Sequence, residues 1–440
     1  MSGVDRRDRI GRIAAGLLAC ASAAYAQHST AAAVYESVAP AVVFVETAGG
    51  TGSGMLLKSN AILTAAHVVY PYRSARVVFP HGTELLDVPL IGWDLMADVA
   101  VLGPVQSEVP PPPIGAASEP AIGSDVFTIG YPAEEEPYPQ PAISRGVLSR
   151  YRHWPDQEIT YLQTDALVDG GQSGGVLASA DGAVVGMTTF GDFGHFGLAI
   201  SARDVLSRVD ALLAGEDPAE LGDRGWAEPQ NTGPTSFVLP TYWSEQAFVI
   251  DAQRGTDVTI TARSANDIAV AIVDVWGEII AEADETDQDA ESVAATLDGT
   301  PPFLVIVEQF MEQAADVVIE ADIGLMPIDD PDDGAFLQVP ARWAAALDYP
   351  YDVDYFRLPL RADEAVRIRV DSTAIDPYLT VDYRFSDDVI SDDDSGGGVF
   401  GESAELVLRA DRDRTYRVVI DDAYGEGMGG YTLTIEPEER

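Results

Sequence analysis

Short apolar runs separated by glycine and proline recur from about residue 30 to residue 210. Examples are Ala41–Val45, Ala61–Ala65 and Val99–Leu102. Runs of this length, rich in β-branched residues and bounded by turn residues, predict β-strands. The spacing changes at Ser201–Leu213, where the apolar residues recur with helical periodicity. This part of the chain is therefore predicted to form an all-β barrel or sandwich that one helix closes.

The C-terminal half contains an internal repeat. The segment Asp257-Val258-Thr259-Ile260 recurs as Ala365-Val366-Arg367-Ile368, at an offset of 108 residues. A fixed offset of this size in strand-rich sequence predicts two β-sandwiches in tandem. Residues 214–234 and 326–334 are rich in glycine, proline and acidic residues, which is typical of linkers. The predicted units are a β-rich domain at 27–213, a linker at 214–234, a first sandwich at 235–325, a linker at 326–334 and a second sandwich at 335–440.

The N-terminus has the features of an export signal. Four arginines precede the apolar run Ile13–Ala24, and Ala24-Tyr25-Ala26 is a small-x-small cleavage site. Residues 1–26 are therefore predicted to be a signal peptide, and the mature protein is expected to be periplasmic or secreted. The alternative is lipoprotein processing at Cys20, the single cysteine of the chain. Either route leaves no disulfide to stabilise the exported fold.

The chain is strongly acidic, and its charge is uneven. Its formal net charge is −46, and residues 214–440 contain 50 acidic and 14 basic residues, against 20 and 8 in residues 27–213. A field of this sign opposes nucleic acids and anionic membranes. No apolar stretch beyond the N-terminus is long enough to span a membrane. We expect neither a nucleic-acid partner nor a membrane span.

Three segments carry residues suited to nucleophilic catalysis. Ser173 lies in the glycine-rich run 169–175, His67 lies at the end of a predicted apolar strand, and Asp98 directly precedes another. A nucleophilic serine needs a base for its proton and backbone N–H groups aimed at the oxyanion, and glycines allow such N–H groups to approach a substrate. Asp94, four residues before Asp98, is a competing candidate for the acid.

These segments resemble those of trypsin-like serine proteases, and more closely of the HtrA (Deg) branch. Thr-Ala-Ala-His at 64–67, Asp-Val-Ala-Val-Leu at 98–102 and Gln-Thr-Asp-Ala at 163–166 match that branch in order. The resemblance covers about residues 30–210 and implies a double β-barrel and a serine endopeptidase. It departs from the family pattern at Gln172 and Val176, and no PDZ domain follows it.

The resemblance also implies roles for individual residues. Ser173 is expected to be the nucleophile, His67 the base, and Asp98 the group that orients the imidazole. The backbone N–H groups of Gly171 and Ser173 are expected to form the oxyanion hole, and Gln172 is a further candidate donor. The predicted residues of the substrate pocket are Leu167, His195 and Phe196. The apolar residue at 167 argues against a preference for lysine or arginine.

The second C-terminal unit resembles the bacterial pre-peptidase C-terminal (PPC) domain. The match is carried by Asp352-x-Asp354-Tyr355-Phe356, Asp376-Pro377-Tyr378-Leu379 and Gly429-Gly430-Tyr431. The first unit is a divergent copy that lacks the last two of these motifs. The resemblance implies modules that bind substrate or serve export. Within the second unit the acidic run Asp392, Asp393 and Asp394 offers oxygen ligands for calcium, although acidic loops are more often merely solvated.

Taken together, the sequence predicts an exported serine endopeptidase that acts on protein or peptide substrates. No organic cofactor is expected, and calcium at Asp392–Asp394 is the one metal considered. The alternative is a catalytically silent protease-fold binding protein whose acidic modules carry the function. Because His67, Asp98 and Ser173 all lie in the first unit, that unit is expected to fold and act without the modules.

Overall fold

The structure is a computed structural model, and the residues it describes are 30–115, 119–133, 139–154, 157–192, 196–222, 224–226, 233–241, 244–284, 290–311, 313–382, 389–397, 403–425 and 427–438. The predicted signal peptide, including Cys20, lies outside these residues. No helix in the described part of the chain is both long enough and apolar enough to cross a membrane.

The first β-barrel follows helix α1 (residues 30–38) and a 3-10 turn at Ala39–Ala41. Six strands close it in the order β1-β2-β3-β6-β5-β4. A single helical turn, α2 (Ala66–Val69), follows β3. The strands are β1 (Val42–Thr47), β2 (Gly50–Leu56), β3 (Ile62–Thr64), β4 (Ser74–Val78), β5 (Glu84–Asp94) and β6 (Val99–Leu102).

The second barrel is closed in the order β10-β11-β12-β9-β8-β7. Its strands are β7 (Asp125–Gly130), β8 (Ala142–Trp154), β9 (Ile159–Thr164), β10 (Val176–Ser179), β11 (Val184–Asp192) and β12 (Phe196–Ser201). Helix α3 (Ala202–Leu213) follows, and the Ser201 hydroxyl caps it by accepting the N–H of Asp204 at 3.2 Å. Its buried face, Val205, Val209 and Leu212, packs on β5, β6 and β11 and so touches both barrels.

The first C-terminal unit consists of a four-stranded and a five-stranded antiparallel sheet around one apolar core. The sheet orders are β13-β20-β15-β18 and β17-β16-β19-β14-β21. Alternation along the strands produces this core: in β15 Val258, Ile260 and Ala262 are buried. The strands are β13 (Thr235–Leu239), β14 (Glu245–Ile250), β15 (Asp257–Arg263), β16 (Ile268–Val273), β17 (Ile279–Ala283), β18 (Ala290–Thr296), β19 (Phe303–Gln309), β20 (Ala315–Ala321) and β21 (Leu325–Pro327).

The second C-terminal unit has the sheet orders β22-β29-β24-β27 and β23-β28-β25-β26. With β13 matched to β22 and so on along the chain, these are the orders of the first unit, which adds only the edge strand β21. The shared topology is what an internal repeat produces, and the predicted fold class is confirmed. The strands are β22 (Ala341–Leu347), β23 (Asp354–Leu360), β24 (Ala365–Ser372), β25 (Pro377–Asp382), β26 (Ile390–Asp392), β27 (Ala404–Arg409), β28 (Arg414–Asp422) and β29 (Gly429–Pro437).

The segment interpreted from sequence as the first linker, 214–234, contains buried residues in its described part. Leu221, Arg224 and Trp226 are buried within it. Trp226 joins an apolar cluster with Val249 of the first sandwich and Tyr349 of the second. The acidic and glycine-rich composition of this segment gave no indication of these contacts, because single buried residues in irregular chain have no periodicity.

A network of buried charges joins the first barrel to the second sandwich. The guanidinium of Arg224 lies 2.7 Å from the carboxylate of Asp348 and 2.6 Å from that of Asp332. Asp348 also accepts a hydrogen bond from the hydroxyl of Tyr70, which directly follows α2. The indole N–H of Trp226 donates to the Asp348 carbonyl at 2.9 Å. The second sandwich is thereby anchored beside α2.

The second sandwich also packs against the loop between β5 and β6. A Cβ at Gly430 would lie 2.9 Å from the sulfur of Met96 and 3.0 Å from the Cβ of Leu95. Ala346 of β22 belongs to the same apolar cluster as the core of the first barrel. The predicted independence of the first unit therefore conflicts with the packing, because truncation would uncover this apolar surface.

We predict that Arg224→Ala lowers the free energy of unfolding by about 3–5 kcal/mol, because it leaves the buried carboxylates of Asp332 and Asp348 without their counter-ion. Urea unfolding followed by tryptophan fluorescence measures the effect. Arg412→Ala is the matched control, since Arg412 is exposed and its ion-pair partner among the described residues is exposed Asp411, and it should cost less than about 1 kcal/mol. Equal effects of the two variants would contradict the importance of the Arg224 network.

Candidate active site

His67 and Asp98 lie side by side in the first barrel. His67 is on α2, not at the end of a strand as its apolar neighbours indicated, and Asp98 directly precedes β6. The Nδ1 atom of His67 lies 2.9 Å from Oδ1 and 3.0 Å from Oδ2 of Asp98, and the His67 backbone N–H donates to Oδ1 at 3.0 Å. This pairing directs the other ring nitrogen, Nε2, away from the carboxylate.

Asp98 is buried, and a residue of the second barrel holds it as well. Only 1% of the residue is exposed, and its φ of +53° falls in the left-handed region that few residues other than glycine adopt. The hydroxyl of Thr189, on β11, donates to Asp98 Oδ2. One carboxylate therefore takes hydrogen bonds from both barrels.

The competing acid, Asp94, is engaged elsewhere. Its Oδ1 accepts the backbone N–H groups of Met96 and Ala97 at 3.1 and 2.9 Å, and Arg208 of α3 lies 3.4 Å from its Oδ2. Asp94 thus shapes the loop that leads to Asp98 and binds α3 to the first barrel. The structure brings Asp98, not Asp94, to His67.

The proton affinity of His67 reflects opposing influences. Burial works to lower the pKa of His67, but the negative charge of Asp98 and its hydrogen bond outweigh burial and raise the pKa above the ordinary histidine value. About a third of the side chain, 32%, is exposed to solvent. The imidazole is therefore a stronger base than a free histidine and remains open on one side to a substrate.

Ser173 lies in the loop between β9 and β10, which contacts the first barrel. The backbone N–H of Ser53, on β2, donates to the Ser173 carbonyl at 2.8 Å. Gly174 has a φ of +82°, and a Cβ on it would lie 2.1 Å from the Ser53 carbonyl oxygen. The close approach of the two barrels at this point therefore requires glycine at 174.

The strand β11 holds the same loop from the other side. The N–H of Gly174 donates to the Thr188 carbonyl at 2.7 Å, and the Thr188 hydroxyl donates to the Gln172 carbonyl at 2.6 Å. The pairing of β11 with β12 is irregular between Thr188 and Phe190, which leaves Thr189 in a bulge. A bulge frees backbone groups from the ladder, and the Ser173 hydroxyl donates to the Thr189 carbonyl at 2.8 Å.

The geometry leaves two backbone N–H groups available beside Ser173. The N–H groups of Gly171 and Ser173 donate to no hydrogen-bond acceptor among the described residues, whereas the N–H of Gln172 donates to the Asp169 carbonyl at 3.0 Å. Ala133 donates to the Gly170 carbonyl at 2.8 Å. Because a trans peptide sets its C=O and N–H on opposite sides, this bond turns the Gly171 N–H away from Ala133. Gly171 and Ser173 thus present a pair of donors, and Gln172 does not.

The Gln172 side chain stabilises this turn. Gln172 is buried, and its Oε1 accepts the N–H of Asp169 at 2.9 Å. The hydroxyl of Ser53, on β2 of the first barrel, accepts the N–H of Tyr131 and donates to the Gly171 carbonyl, both at 2.8 Å. It thereby connects the first barrel to the turn. The departure from the family pattern at 172 therefore has a structural role in shaping the donor pair.

The predicted pocket residues are only partly described. The Leu167 side chain is 52% exposed, while its backbone is held by the hydroxyls of Thr128 and Ser144. Phe196 is half-buried, with the guanidinium of Arg152 over its ring at 4.7 Å. His195 lies outside the described residues. A preference for an apolar side chain stays a prediction.

The acidic run Asp392–Asp394 forms a turn. Oδ2 of Asp392 accepts the N–H groups of Ser395 and Glu405 at 3.0 and 2.8 Å, and Oδ1 of Asp393 accepts the N–H of Asp394. These bonds use carboxylate oxygens that a cation would need. Within the described residues, the three-carboxylate group whose oxygens converge is a different one: Asp330, Asp352 and Asp354.

Three residues of this site were not predicted from sequence: Ser53, Tyr70 and Thr189. Ser53 and Thr189 lie within strands, and Tyr70 directly follows the apolar turn α2. A polar side chain in such a place is a signal that a buried partner is required. That signal marks the residue but not the partner. The partners lie in another barrel or another domain, so only the tertiary structure identifies them.

Comparisons with known proteins agree with this geometry. Residues 52–187 match the family model of the trypsin-like peptidase domain, a range that includes His67, Asp98 and Ser173. The two barrels and their site are therefore similar to a trypsin-like peptidase domain, and two β-sandwiches follow them.

Several serine proteases are similar to the chain over part of their length. It is 33% identical over 183 residues to the mitochondrial serine protease HTRA2 of Bos taurus, covering 37% of this chain and 39% of that protein. It is 30% identical over 185 residues to the serine protease Do-like HtrA of Bacillus subtilis, covering 38% and 40%. The chain spans about two fifths of the length of these relatives. The solved structure of an HtrA-type protease AlgW with tripeptide aligns at 25% identity and a TM-score of 0.39, covering 45% of this chain and 67% of that one.

Gly171→Ala is predicted to lower kcat for peptide hydrolysis by about 10²–10³, the loss typical of one oxyanion donor. Gly171 has a φ of +82°, and a Cβ would lie 2.6 Å from both Ala133 N and the Tyr131 carbonyl oxygen, so the peptide must rotate. Gly170→Ala is the control, because its Cβ would meet only the Ala133 side chain at 3.8 Å. A Gly171→Ala enzyme as active as Gly170→Ala would refute this donor assignment.

The raised pKa of His67 predicts where activity is lost in acid. A base must be neutral to accept a proton, so kcat/KM should fall as the pH drops through a value above about 6.5, the ordinary histidine pKa. Asp98→Asn removes the charge that raises this pKa, so the acid limb should move to lower pH and kcat should fall by about 10⁴. Asp94→Asn should leave the limb in place, since Asp94 does not touch His67. A limb unmoved in Asp98→Asn would contradict the assignment.

Proposed function

We propose that this protein is an exported serine endopeptidase that hydrolyses peptide bonds through an acyl-enzyme intermediate. The observation that carries the proposal is the joint placement of Ser173, the His67–Asp98 pair and two free backbone donors where the barrels meet. The similarity of residues 52–187 to the trypsin-like peptidase domain supports it.

The geometry supports the following sequence of steps. The Ser173 hydroxyl leaves the Thr189 carbonyl by rotation about its Cα–Cβ bond and donates to Nε2 of His67. As Ser173 Oγ attacks the substrate carbonyl carbon, His67 takes the proton, and Asp98 stabilises the imidazolium. The oxyanion accepts the N–H groups of Gly171 and Ser173. His67 then protonates the leaving amine, and water cleaves the acyl-enzyme by the same route in reverse.

The remaining assignments are part of the same proposal. Residues 1–26 act as the signal peptide, and the mature chain is periplasmic or secreted. Similarity to a probable periplasmic DegP-like endoprotease of Pseudomonas fulva, 31% over 183 residues, supports this. The sandwiches at 235–325 and 335–440 are PPC-like modules for substrate binding or export. Leu167 and Phe196 line the pocket for an apolar side chain.

One observation favours a second function, a catalytically silent binding protein. The Ser173 hydroxyl donates to the Thr189 carbonyl at 2.8 Å, and no hydrogen bond joins it to His67 among the described residues. A serine held permanently in this orientation has no base for its proton. The acidic sandwiches would then carry the function.

Labelling with a fluorophosphonate separates the two functions, because the reagent reacts only with an activated serine. We expect the full chain to be labelled, and both Ser173→Ala and His67→Ala to abolish labelling and peptide cleavage with little change in melting temperature. The double variant should be no worse than either single variant, since the groups act as a unit. Ser37→Ala, at a serine outside the site, is the control. An unlabelled, fully folded wild-type protein would establish the silent alternative.

A further inference from the structure

Three carboxylates meet where the two sandwiches join. Asp330 lies between β21 and β22, Asp352 lies between β22 and β23, and Asp354 begins β23. One carboxylate oxygen of each lies within 4.8 Å of the others. Asp352 and Asp354 are 1% and 0% exposed, and Asp330 is partly buried. We call these three residues the junction site.

Two oxygens of the junction site have no hydrogen-bond partner. Oδ2 of Asp352 accepts the backbone N–H of Asp348, and Oδ2 of Asp354 accepts the hydroxyl of Tyr431. Oδ1 of Asp352 and Oδ1 of Asp354 are buried and accept nothing from the described residues. Buried polar atoms are almost always satisfied, and an ion is one of the few groups that satisfies two carboxylate oxygens at once.

The surrounding charge also favours a cation. Among the described residues, Arg224 is the one base that forms ion pairs in this region, and its partners are Asp332 and Asp348. Within the described part of the chain Asp330, Asp352 and Asp354 therefore form no ion pair, and the charge of Arg224 acts on Asp330 from a distance. Further carboxylates act on the junction site: Glu245, Asp332, Asp333 and Asp348.

We propose that Asp330, Asp352 and Asp354 bind a calcium ion. The donors are all carboxylate oxygens, which hard cations prefer, with no histidine or cysteine to favour a transition metal. Calcium binds oxygens at about 2.3–2.6 Å, so two ligands of one ion lie up to about 5 Å apart, in agreement with the spacing here. Calcium also tolerates irregular ligand sets from loops, whereas magnesium requires near-octahedral geometry. Waters and backbone carbonyls complete its coordination.

The position of the site gives the ion a structural role. Asp352 Oδ2 holds the N–H of Asp348, whose own carboxylate contacts both Arg224 and Tyr70. Asp330 belongs to the segment that connects the sandwiches. An ion held by Asp330, Asp352 and Asp354 therefore links the two sandwiches at the point where the second one contacts the first barrel, and calcium should stabilise the full chain.

Calcium binding is measured on the full chain after removal of bound metal with a chelator. Terbium, which replaces calcium, should show luminescence sensitised by nearby tyrosine, since Tyr431 contacts Asp354, and added calcium should displace it. Saturating calcium should raise the melting temperature by about 5 °C or more, as expected for a ligand present at about 100 times its Kd. Magnesium and sodium chloride at matched ionic strength should raise it much less.

Two pairs of variants locate the site. Asp352→Asn and Asp354→Asn keep the hydrogen bonds to Asp348 and Tyr431 but should abolish the calcium response and the terbium signal. Without calcium they should melt no lower than wild type, because a buried unpaired charge has been removed, whereas a merely structural role would lower their melting temperature under both conditions. The combined Asp393→Asn and Asp394→Asn variant, in the acidic run Asp392–Asp394, should respond as wild type does.

Other outcomes overturn the proposal. They are a wild-type response to calcium no larger than that to magnesium, or a response lost in the Asp393 and Asp394 variant but kept in Asp352→Asn. Because these measurements need no peptidase activity, they are independent of the proposed function. Ser173→Ala should bind calcium as wild type does even though it cannot cleave peptides.

Discussion

The carboxylate of Asp98 is the point on which the site depends. It accepts hydrogen bonds from His67 in the first barrel and from Thr189 in the second, and it is buried with its backbone in the left-handed region. A buried charge that lost either donor would be costly, since hydrogen bonds to charged groups contribute about 1.5–3 kcal/mol each. The contact between the two barrels and the orientation of the imidazole therefore depend on the same buried carboxylate.

A second constraint comes from the C-terminal sandwich, which contacts both segments that carry this pair. Asp348 accepts a hydrogen bond from Tyr70, three residues after His67, and Gly430 packs on Met96, two residues before Asp98. Arg224 holds Asp348 in place from a segment with no regular structure of its own. The domains are distinct in topology, but the second sandwich contacts residues that lie within three positions of His67 and Asp98 in the chain.

Local sequence patterns predict the fold well, but they do not predict contacts between residues that are far apart in the chain. The helix at Ser201–Leu213 and the repeat at 257 and 365 followed from periodicity, because burial of one face imposes it. The sequence predicts a linker around Arg224 and Trp226, because isolated buried residues produce no hydrophobic periodicity. The acidic run Asp392–Asp394 drew attention as a calcium site because its acids are adjacent. The carboxylates that converge, Asp330, Asp352 and Asp354, are brought together by strand topology across more than 20 residues.

The bulge at Thr189 explains how the serine is held in this structure. The Thr189 hydroxyl donates a hydrogen bond to Asp98, and the Thr189 carbonyl, freed from the β11–β12 ladder, accepts one from the Ser173 hydroxyl. When the Ser173 hydroxyl turns from this carbonyl to His67, it exchanges one hydrogen bond for another, and the serine side chain moves between staggered rotamers. Such an exchange changes the free energy by about 1 kcal/mol, the net worth of one hydrogen bond. The imidazole, made more basic by Asp98, is the stronger acceptor of the two. The orientation of Ser173 is therefore a resting state that a bound substrate can reverse at small cost, and it weighs little against catalysis.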